Sequence, residues 1–359
     1  MKRLLIMALS LLVLCGACSK KGEVAKPFVD DGKQPILVKV NNRYGYCDQS
    51  GKVVIPAIYE QASIFSEGMA AVSLYGKYGY LDSTGKMVID PIFNGALFFK
   101  DGLAAVAQGD RWGFIDKTGK VVIDPKFVTT MAFTEGLAPV IVVKKDAGKG
   151  GFIDRKGEFV IEAEFDDAAN FSEGLAAVKI GRKFGYIDKA GKLVIPAQFD
   201  AAAPFREGLA MVKINGMHGL IGYIDQTGKW VIEAQYGEGT NYHDGVAAVR
   251  KDEKWFLLDR SGKKIIDKDF YTPTMFSEGL APMVVEGKVG YMDKTGKMVI
   301  KPKFQSGSIF VNGTAPVQLG DKCGYIDKSG KLVIEPQFQW DQRSIDQYIH
   351  YNTHFVPAQ

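Results

Sequence analysis

Nine aspartates at near-constant spacing are the first residues of this chain whose type and pattern could do chemistry. Each is followed three residues later by glycine: Asp48, Asp82, Asp116, Asp154, Asp188, Asp225, Asp259, Asp293 and Asp327. A ladder of carboxylates offers the hard oxygen ligands that suit Ca²⁺. Each copy supplies a single Asp, however, and often a lysine follows it. An Asp that accepts backbone N–H bonds, with a Gly at positive φ, is also how a hairpin turn is made. The turn reading needs no metal and is the one expected. A second acidic ladder precedes glycine at Glu67, Asp101, Glu135, Glu173, Glu207, Asp244 and Glu278, with Asn312 replacing the acid in the last copy. It too fits a tight turn, and the alternative is a functional acidic stripe.

Other candidates are sparse. Of the four histidines, His218, His243, His350 and His354, the last two are spaced i, i+4 near the C-terminus. Two ligands without a nearby third do not make a zinc site, and surface histidines are expected. There is no Gly-rich phosphate loop, nucleophile elbow or Cys–His pair in sequence context. The chain is therefore expected to be no enzyme and to need no cofactor or metal. The aromatics are more suggestive. Tyr46, Tyr80, Phe114, Phe152, Tyr186, Tyr223, Tyr291 and Tyr325 each follow a common slot, and Tyr44, Tyr78, Trp112 and Phe184 each stand two residues earlier. Residues two apart in a strand share a face. Most of these rings are expected in the core of stacked repeats. The slot residues Tyr44, Tyr78, Trp112, Phe184 and Trp255 are the candidate ligand platform, where exposed rings would stack on sugars.

The elements that must position these residues come from an internal repeat. Between successive aspartates the spacings are 34, 34, 38, 34, 37, 34, 34 and 34 residues. The two longer ones place insertions near Lys144–Lys149 and Asn215–Leu220, expected to be loops. One unit reads EGLAAVKIGRKFGYIDKAGKLVIPAQF from Glu173 to Phe199. Glycines in every unit and prolines in many resist a helix. The apolar runs are short and rich in Val, Ile, Tyr and Phe. Each unit is thus expected to be three short strands: A over Leu175–Ile180, B over Phe184–Asp188, and C from Leu193 towards Phe199.

Segments such as Arg111-Trp112-Gly113-Phe114-Ile115-Asp116 and Lys183-Phe184-Gly185-Tyr186-Ile187-Asp188 resemble the WG (KWG) repeat. The resemblance recurs nine times over roughly residues 35–339. The aromatic before glycine drifts to Gly150, Ile221, Val289 and Cys323, and in the seventh copy Trp255 is kept while Phe256 replaces the glycine. Such drift marks a packing position rather than a chemical one. The resemblance implies an exported repeat protein without a general enzymatic activity. The B–C hairpin is also similar, over a short stretch, to the aromatic hairpin of cell-wall-binding repeats.

Residues 1–18 are read as a lipoprotein signal peptide. Lys2 and Arg3 precede an apolar stretch, Leu4 to Leu14, too short to span a bilayer, and Gly16 and Ala17 lead into Cys18. Cys18 is the expected lipid acceptor, with Cys15 standing where a leucine is usual. The alternative is an ordinary signal peptide cut near Ala17. Residues 19–34 would be a tether, 35–339 the repeat domain and 340–359 a cap or tail on the last repeat. Cys47 and Cys323 remain after processing. They lie an odd number of positions apart in the repeat frame, in the first and ninth copies, and are expected to be free buried thiols.

The fold class expected is all-β, about nine tandem three-stranded repeats, forming an open or superhelical array, with a closed propeller-like ring as the alternative. A formal charge of +4, part of it from the leader, gives no reason to expect nucleic acid. The expected role is a non-enzymatic cell-envelope interaction scaffold for protein or glycan. The alternative is a structural envelope lipoprotein without a defined ligand. Its membrane contact would be the lipid at Cys18, and Ser19 rather than Asp after it points to the outer membrane. Cys18→Ser should release the protein from the membrane fraction in a detergent-free fractionation, and retention of that variant would place the anchor elsewhere.

Overall fold

The computed structural model describes residues 34–216, 219–270 and 275–341. Cys18, the tether up to residue 33, His218, His350, His354 and residues 342–359 lie outside them. The described chain folds into nine small antiparallel sheets, here numbered blades 1 to 9 by their aspartates from Asp48 to Asp327. Blade 2 shows the plan. Strand A is Met69–Leu74, B is Lys77–Asp82 and C is Met87–Phe93. A short leading strand, Gln61–Ala62, pairs with the other side of A. This fourth strand is missing from the three-strand expectation, because two residues give no readable period. Seven blades have four strands, and the first and eighth have three among the described residues.

Burial follows from position in the sheet. Strand A of blade 2, MAAVSL, is buried on both faces and correspondingly apolar. Strand C alternates buried and exposed residues and forms the free edge of its sheet. Prolines 56, 91, 125, 196, 302 and 336 stand in these edge strands, where a missing N–H costs no ladder bond and blunts pairing with another chain. The insertion near residues 144–149 is no loop. It lengthens strands A and B of blade 4 to Ala138–Lys144 and Ala147–Ile153, paired throughout.

The glycine that follows the drifting aromatic has a steric cause. Strand C carries a bulge where it crosses this residue, as the register shift between Phe184 and Tyr186 shows. A Cβ on Gly185 would sit 2.5 Å from Ile195 O and 2.8 Å from Ala197 N, and one on Gly45 would be 2.7 Å from Ala57 Cα. The backbone of C occupies the space in those blades, which favours glycine at the slot while its neighbour varies; blade 7, with Phe256, is the exception.

Between blades the contact is aromatic. The ring after the glycine packs on a ring from the next blade: Tyr46 on Phe65, Phe114 on Phe133, Phe152 on Phe171 and Tyr186 on Phe205, all with centroids 4.8 Å apart. Where the first ring is tyrosine, its hydroxyl donates to a carbonyl of the next blade, as in Tyr80 to Leu97 O and Tyr186 to Ala203 O, both 2.7 Å. Each core cluster therefore straddles a seam. One joins Tyr44, Tyr46 and Ile55 of blade 1 to Phe65, Val72 and Leu81 of blade 2.

Apolar packing also joins blade 9 to blade 1 and closes the ring, so the expected open array is corrected. Blade 9 packs on blade 1 through a cluster of Val38, Cys47, Cys323, Ile334 and Phe338. Asp341 accepts from Lys39 Nζ at 3.1 Å and from Tyr44 OH at 2.9 Å. Gln339 Oε1 accepts from Asn42 N at 2.8 Å, repeating the bond from Gly76 N to Glu60 Oε2 between blades 1 and 2. The architecture is a nine-bladed β-propeller. Counting strands against ordinary propellers favoured an open array because the short leading strand was not seen. Of the tail, Trp340 and Asp341 are described, and they lie at the seam of blades 9 and 1, Trp340 against the shared cluster and Asp341 bonded to Lys39 and Tyr44.

Closure also revises the reasoning about the cysteines. Opposite faces of equivalent strands do not separate two residues in neighbouring blades; those are the faces that meet. Cys47 and Cys323 lie in one cluster, both buried and free. Burial pushes both thiols up to about 12, so neither is a reactive thiolate at neutral pH.

Two variants test this account. Gly185→Ala should cost about 1–3 kcal/mol, the scale of overpacking, measured by urea denaturation, with amide exchange rising first in blade 5 and its neighbours. Asp341→Ala should cost about 1–3 kcal/mol, since it leaves the half-buried Lys39 and the buried Tyr44 without their acceptor. Its exchange should rise first in blades 1 and 9; unchanged exchange there would be the behaviour of an open array.

Candidate functional site

The turns are where this fold gathers its polar side chains. In the blades whose leading strand is described, that strand rises to the turn of the second ladder, A descends, B rises to the Asp turn, and C descends to a crossover. Acid–Gly and Asp turns therefore share one face of the ring. The A–B turns and crossovers share the other.

The Asp turns behave alike in all nine copies. Asp225 Oδ1 accepts from Thr227 N at 2.9 Å, Thr227 Oγ1 at 2.6 Å and Lys229 N at 3.1 Å, and Asp188 accepts from Ala190 N and Lys192 N. The carboxylates are spent on their own turns. Among the described residues no group of three or more His, Cys, Asp or Glu side chains could hold a metal ion.

The acid–Gly turns do more. Ser66 bridges Met69 across Glu67 and Gly68, and both central residues have positive φ, 52° and 80°. Such two-residue turns favour Asn-Gly or Asp-Gly, and glutamate is a poor occupant of this region. Its compensation lies in the next blade. Glu67 accepts from Gly102 N at 3.0 Å, Glu173 from Gly208 N at 2.9 Å, Glu207 from Gly245 N at 2.9 Å and Asp244 from Gly279 N at 2.6 Å. The residue after the turn aspartate reaches back to the same acid. Lys117 pairs with Glu67 at 3.3 Å, Lys189 with Glu135 at 3.0 Å, Lys294 with Asp244 at 2.9 Å and Lys328 with Glu278 at 2.9 Å. Gln226 takes that slot opposite Glu173, and Arg155 and Arg260 lie against Gly102 and Gly208. The two ladders of the sequence thus meet across the seams: at four of them the acid of one blade pairs with the lysine that follows the turn aspartate of the next.

The residue before the acid adds another bond across the seam: Ser172 Oγ donates to Phe205 O at 2.8 Å and Ser277 Oγ to Phe310 O at 2.6 Å. In blade 7 this residue is His243. Burial, and then the Arg206 guanidinium, hold its pKa below the usual histidine range, and its Nδ1 has no partner.

Four of these turns open onto one cavity of about 410 Å³, lined by Glu207, His243, Asp244, Ser277, Glu278, Val311 and Asn312. Four consecutive blades can share one concavity only where they converge, on the axial side. The cavity is therefore at the mouth of the ring, polar, with three carboxylates and a neutral imidazole facing one space.

The five candidate platform aromatics are not there. Tyr44 and Trp255 are buried, and Tyr78, Trp112 and Phe184 are half-buried, each packed against an interblade cluster. His243, set aside as a surface histidine, lines the cavity. Its only sequence signal is that it stands in a slot that several copies fill with serine or threonine.

A family model for the WG-containing repeat matches nine stretches, at 44–78, 78–112, 112–145, 151–184, 184–217, 221–255, 255–288, 290–323 and 324–340. The chain belongs to the WG-repeat family. No curated protein matches this WG-repeat propeller. Solved structures similar to it include a eukaryotic initiation factor (TM-score 0.41, 10% identity, 78% of this chain and 96% of that one covered). Another is Kluyveromyces lactis Hsv2 (0.39, 10%, 67% and 94%). A third is tricorn protease (0.25, 13%, 83% and 39%).

The turn geometry predicts an acid-dependent stability. The hydroxyls of Thr118, Thr227, Ser261, Thr295 and Ser329 lead the interactions that hold Asp116, Asp225, Asp259, Asp293 and Asp327 below the usual carboxylate range. A depressed folded pKa gives stability that is present above the unfolded value, about 3.9, and lost as pH falls through the folded one. The urea midpoint should therefore drop below about pH 4. Asp225→Asn, which keeps an acceptor oxygen, should shrink that drop. Asp225→Ala should lower the midpoint at neutral pH as well.

Proposed function

We propose that this WG-repeat propeller is a non-enzymatic, membrane-anchored scaffold of the cell envelope that binds protein at its acid–Gly face. The supporting observation is the axial cavity shared by the turns of blades 6 to 9. Its polar groups are largely committed to structure: Ser277 to Phe310, Glu207 to Gly245, Asp244 to Gly279 and Lys294. That commitment suits a rigid, preformed contact surface better than a reaction centre, whose groups must exchange protons or bonds. Protein is favoured over glycan because the aromatics that would stack on sugar rings are packed between blades. The anchor remains the lipid at Cys18, with the outer membrane as its destination.

The test is site-specific photo-crosslinking in intact cells. A photoreactive residue at Asn312, exposed at the cavity, should give a discrete protein adduct. The same residue at Asp321, exposed on the opposite face of the same blade, should not. No adduct from position 312, or the same pattern from both, would leave a purely structural envelope protein as the reading.

A further inference from the structure

Nine copies of one frame make departures from it readable. The sixth residue of strand C is polar in seven copies: Lys126, Glu164, Gln198, Gln235, Asp269, Lys303 and Gln337. In blades 1 and 2 it is isoleucine, and Ile58 and Ile92 are 52% and 59% exposed. The first residue of the A–B turn is asparagine, glycine or charged in the other blades. In blade 2 it is Tyr75, 92% exposed at φ 52°, a costly conformation for an aromatic that buries nothing.

The three departures fall together. Glu60, two residues after Ile58, accepts from Gly76 N beside Tyr75. Tyr78, three residues after Tyr75, pairs with Phe93, next to Ile92. Tyr75 therefore lies in the A–B turn of blade 2, beside the crossover from blade 1 and on the face opposite the cavity, with Ile58 and Ile92 on the edge strands C of blades 1 and 2. Arg43 and Lys77 flank it, and Arg43 answers the charge of Glu60.

We infer that Ile58, Tyr75 and Ile92 form a membrane-docking edge, inserting into the interfacial layer of the bilayer that holds the lipid anchor. The inference rests on the anchoring proposed above. Strand A of blade 1 starts just after Gln34, so the described chain enters the ring at blade 1, which carries Ile58 and adjoins blade 2. The stretch between Cys18 and Gln34 can reach about 50 Å when extended, against about 20 Å for the six-residue strands that set the ring's thickness. An apolar body with a polar tip suits tyrosine to the headgroup layer. A lipid at Cys18 would hold the ring only through a tether, and a second contact fixes which face meets the bilayer. Docked by this edge, the ring turns its acid–Gly face away from the membrane.

The unlipidated Cys18→Ser chain should sediment with vesicles of phosphatidylethanolamine and phosphatidylglycerol. Ile58→Ser, Tyr75→Ser and Ile92→Ser should each weaken partitioning several-fold, and the triple variant should lose it, with thermal unfolding unchanged because the side chains are exposed. Gln198→Ser and Gln235→Ser, at the same position in other blades, should have no effect. Tyr75→Trp should show a blue shift on vesicles. Equal sedimentation of the parent chain and triple variant, or none by either, would overturn the inference. So would a parent dimer that the triple variant converts to a monomer without any vesicle binding. Metabolic labelling of Cys18 with a radioactive fatty acid reports on the anchor alone, so the two readings fail separately, and Cys18→Ser still leaves washed cell membranes because three side chains by themselves hold only reversibly.

Discussion

The structure depends on one contact made again at seven of the nine seams, the ring after the strand B glycine against an aromatic from the next blade. No blade could hide its apolar faces alone. Tyr186 and Phe205 sit 58° apart in plane at 4.8 Å, a tilted geometry that adds about 0.5–1.5 kcal/mol to the area buried. The tyrosine hydroxyls bond carbonyls that the seam would otherwise bury unpaired. Phe114 and Phe152 do without that bond, so it supplements the ring contact rather than replacing it. At the seam between blades 7 and 8 the first ring is absent, and Leu257 meets Phe276 in the same cluster.

Around that contact the turns act as ties between neighbours. Exposed ion pairs such as Lys328–Glu278 are worth little one at a time and are screened by salt. Here each carboxylate also accepts a backbone N–H from the adjoining blade, which fixes angle as well as distance. A nine-membered ring closes only if every blade turns by the same amount, and a repeated bond at the narrow side of each seam is a direct way to set it. The positive φ of Glu67 and its counterparts is the strain that accompanies this use.

Much of the fold was legible in the residues. The period, the strands A to C, the turn role of the aspartates and the packing role of the drifting aromatics all follow from spacing and residue type. Closure did not, because it depends on Asn42 and Gln339, far apart in sequence, meeting across the last seam. Nor did the pairing of Glu67 with Lys117, which lies in the following copy. A reading that aligns copies on one another sees what is shared within each, and misses what one copy supplies to the next. The cavity was invisible for the same reason, and His243 looked like an isolated histidine because its neighbours come from three other blades.

Every blade takes its leading strand from the chain that has just left the blade before, with a single residue such as Glu60 between them. The unit that repeats in sequence and the sheet that folds in space are therefore out of phase. At the last seam the tail follows the same path, and Asp341 meets blade 1 where an internal copy would continue. The two ends of the described chain thus fall between the place of a leading strand and strand A of blade 1. The seam keeps its hydrogen bonds although the chain is interrupted there. The order of blades along the gene is one of nine equivalent circular permutations of a single ring.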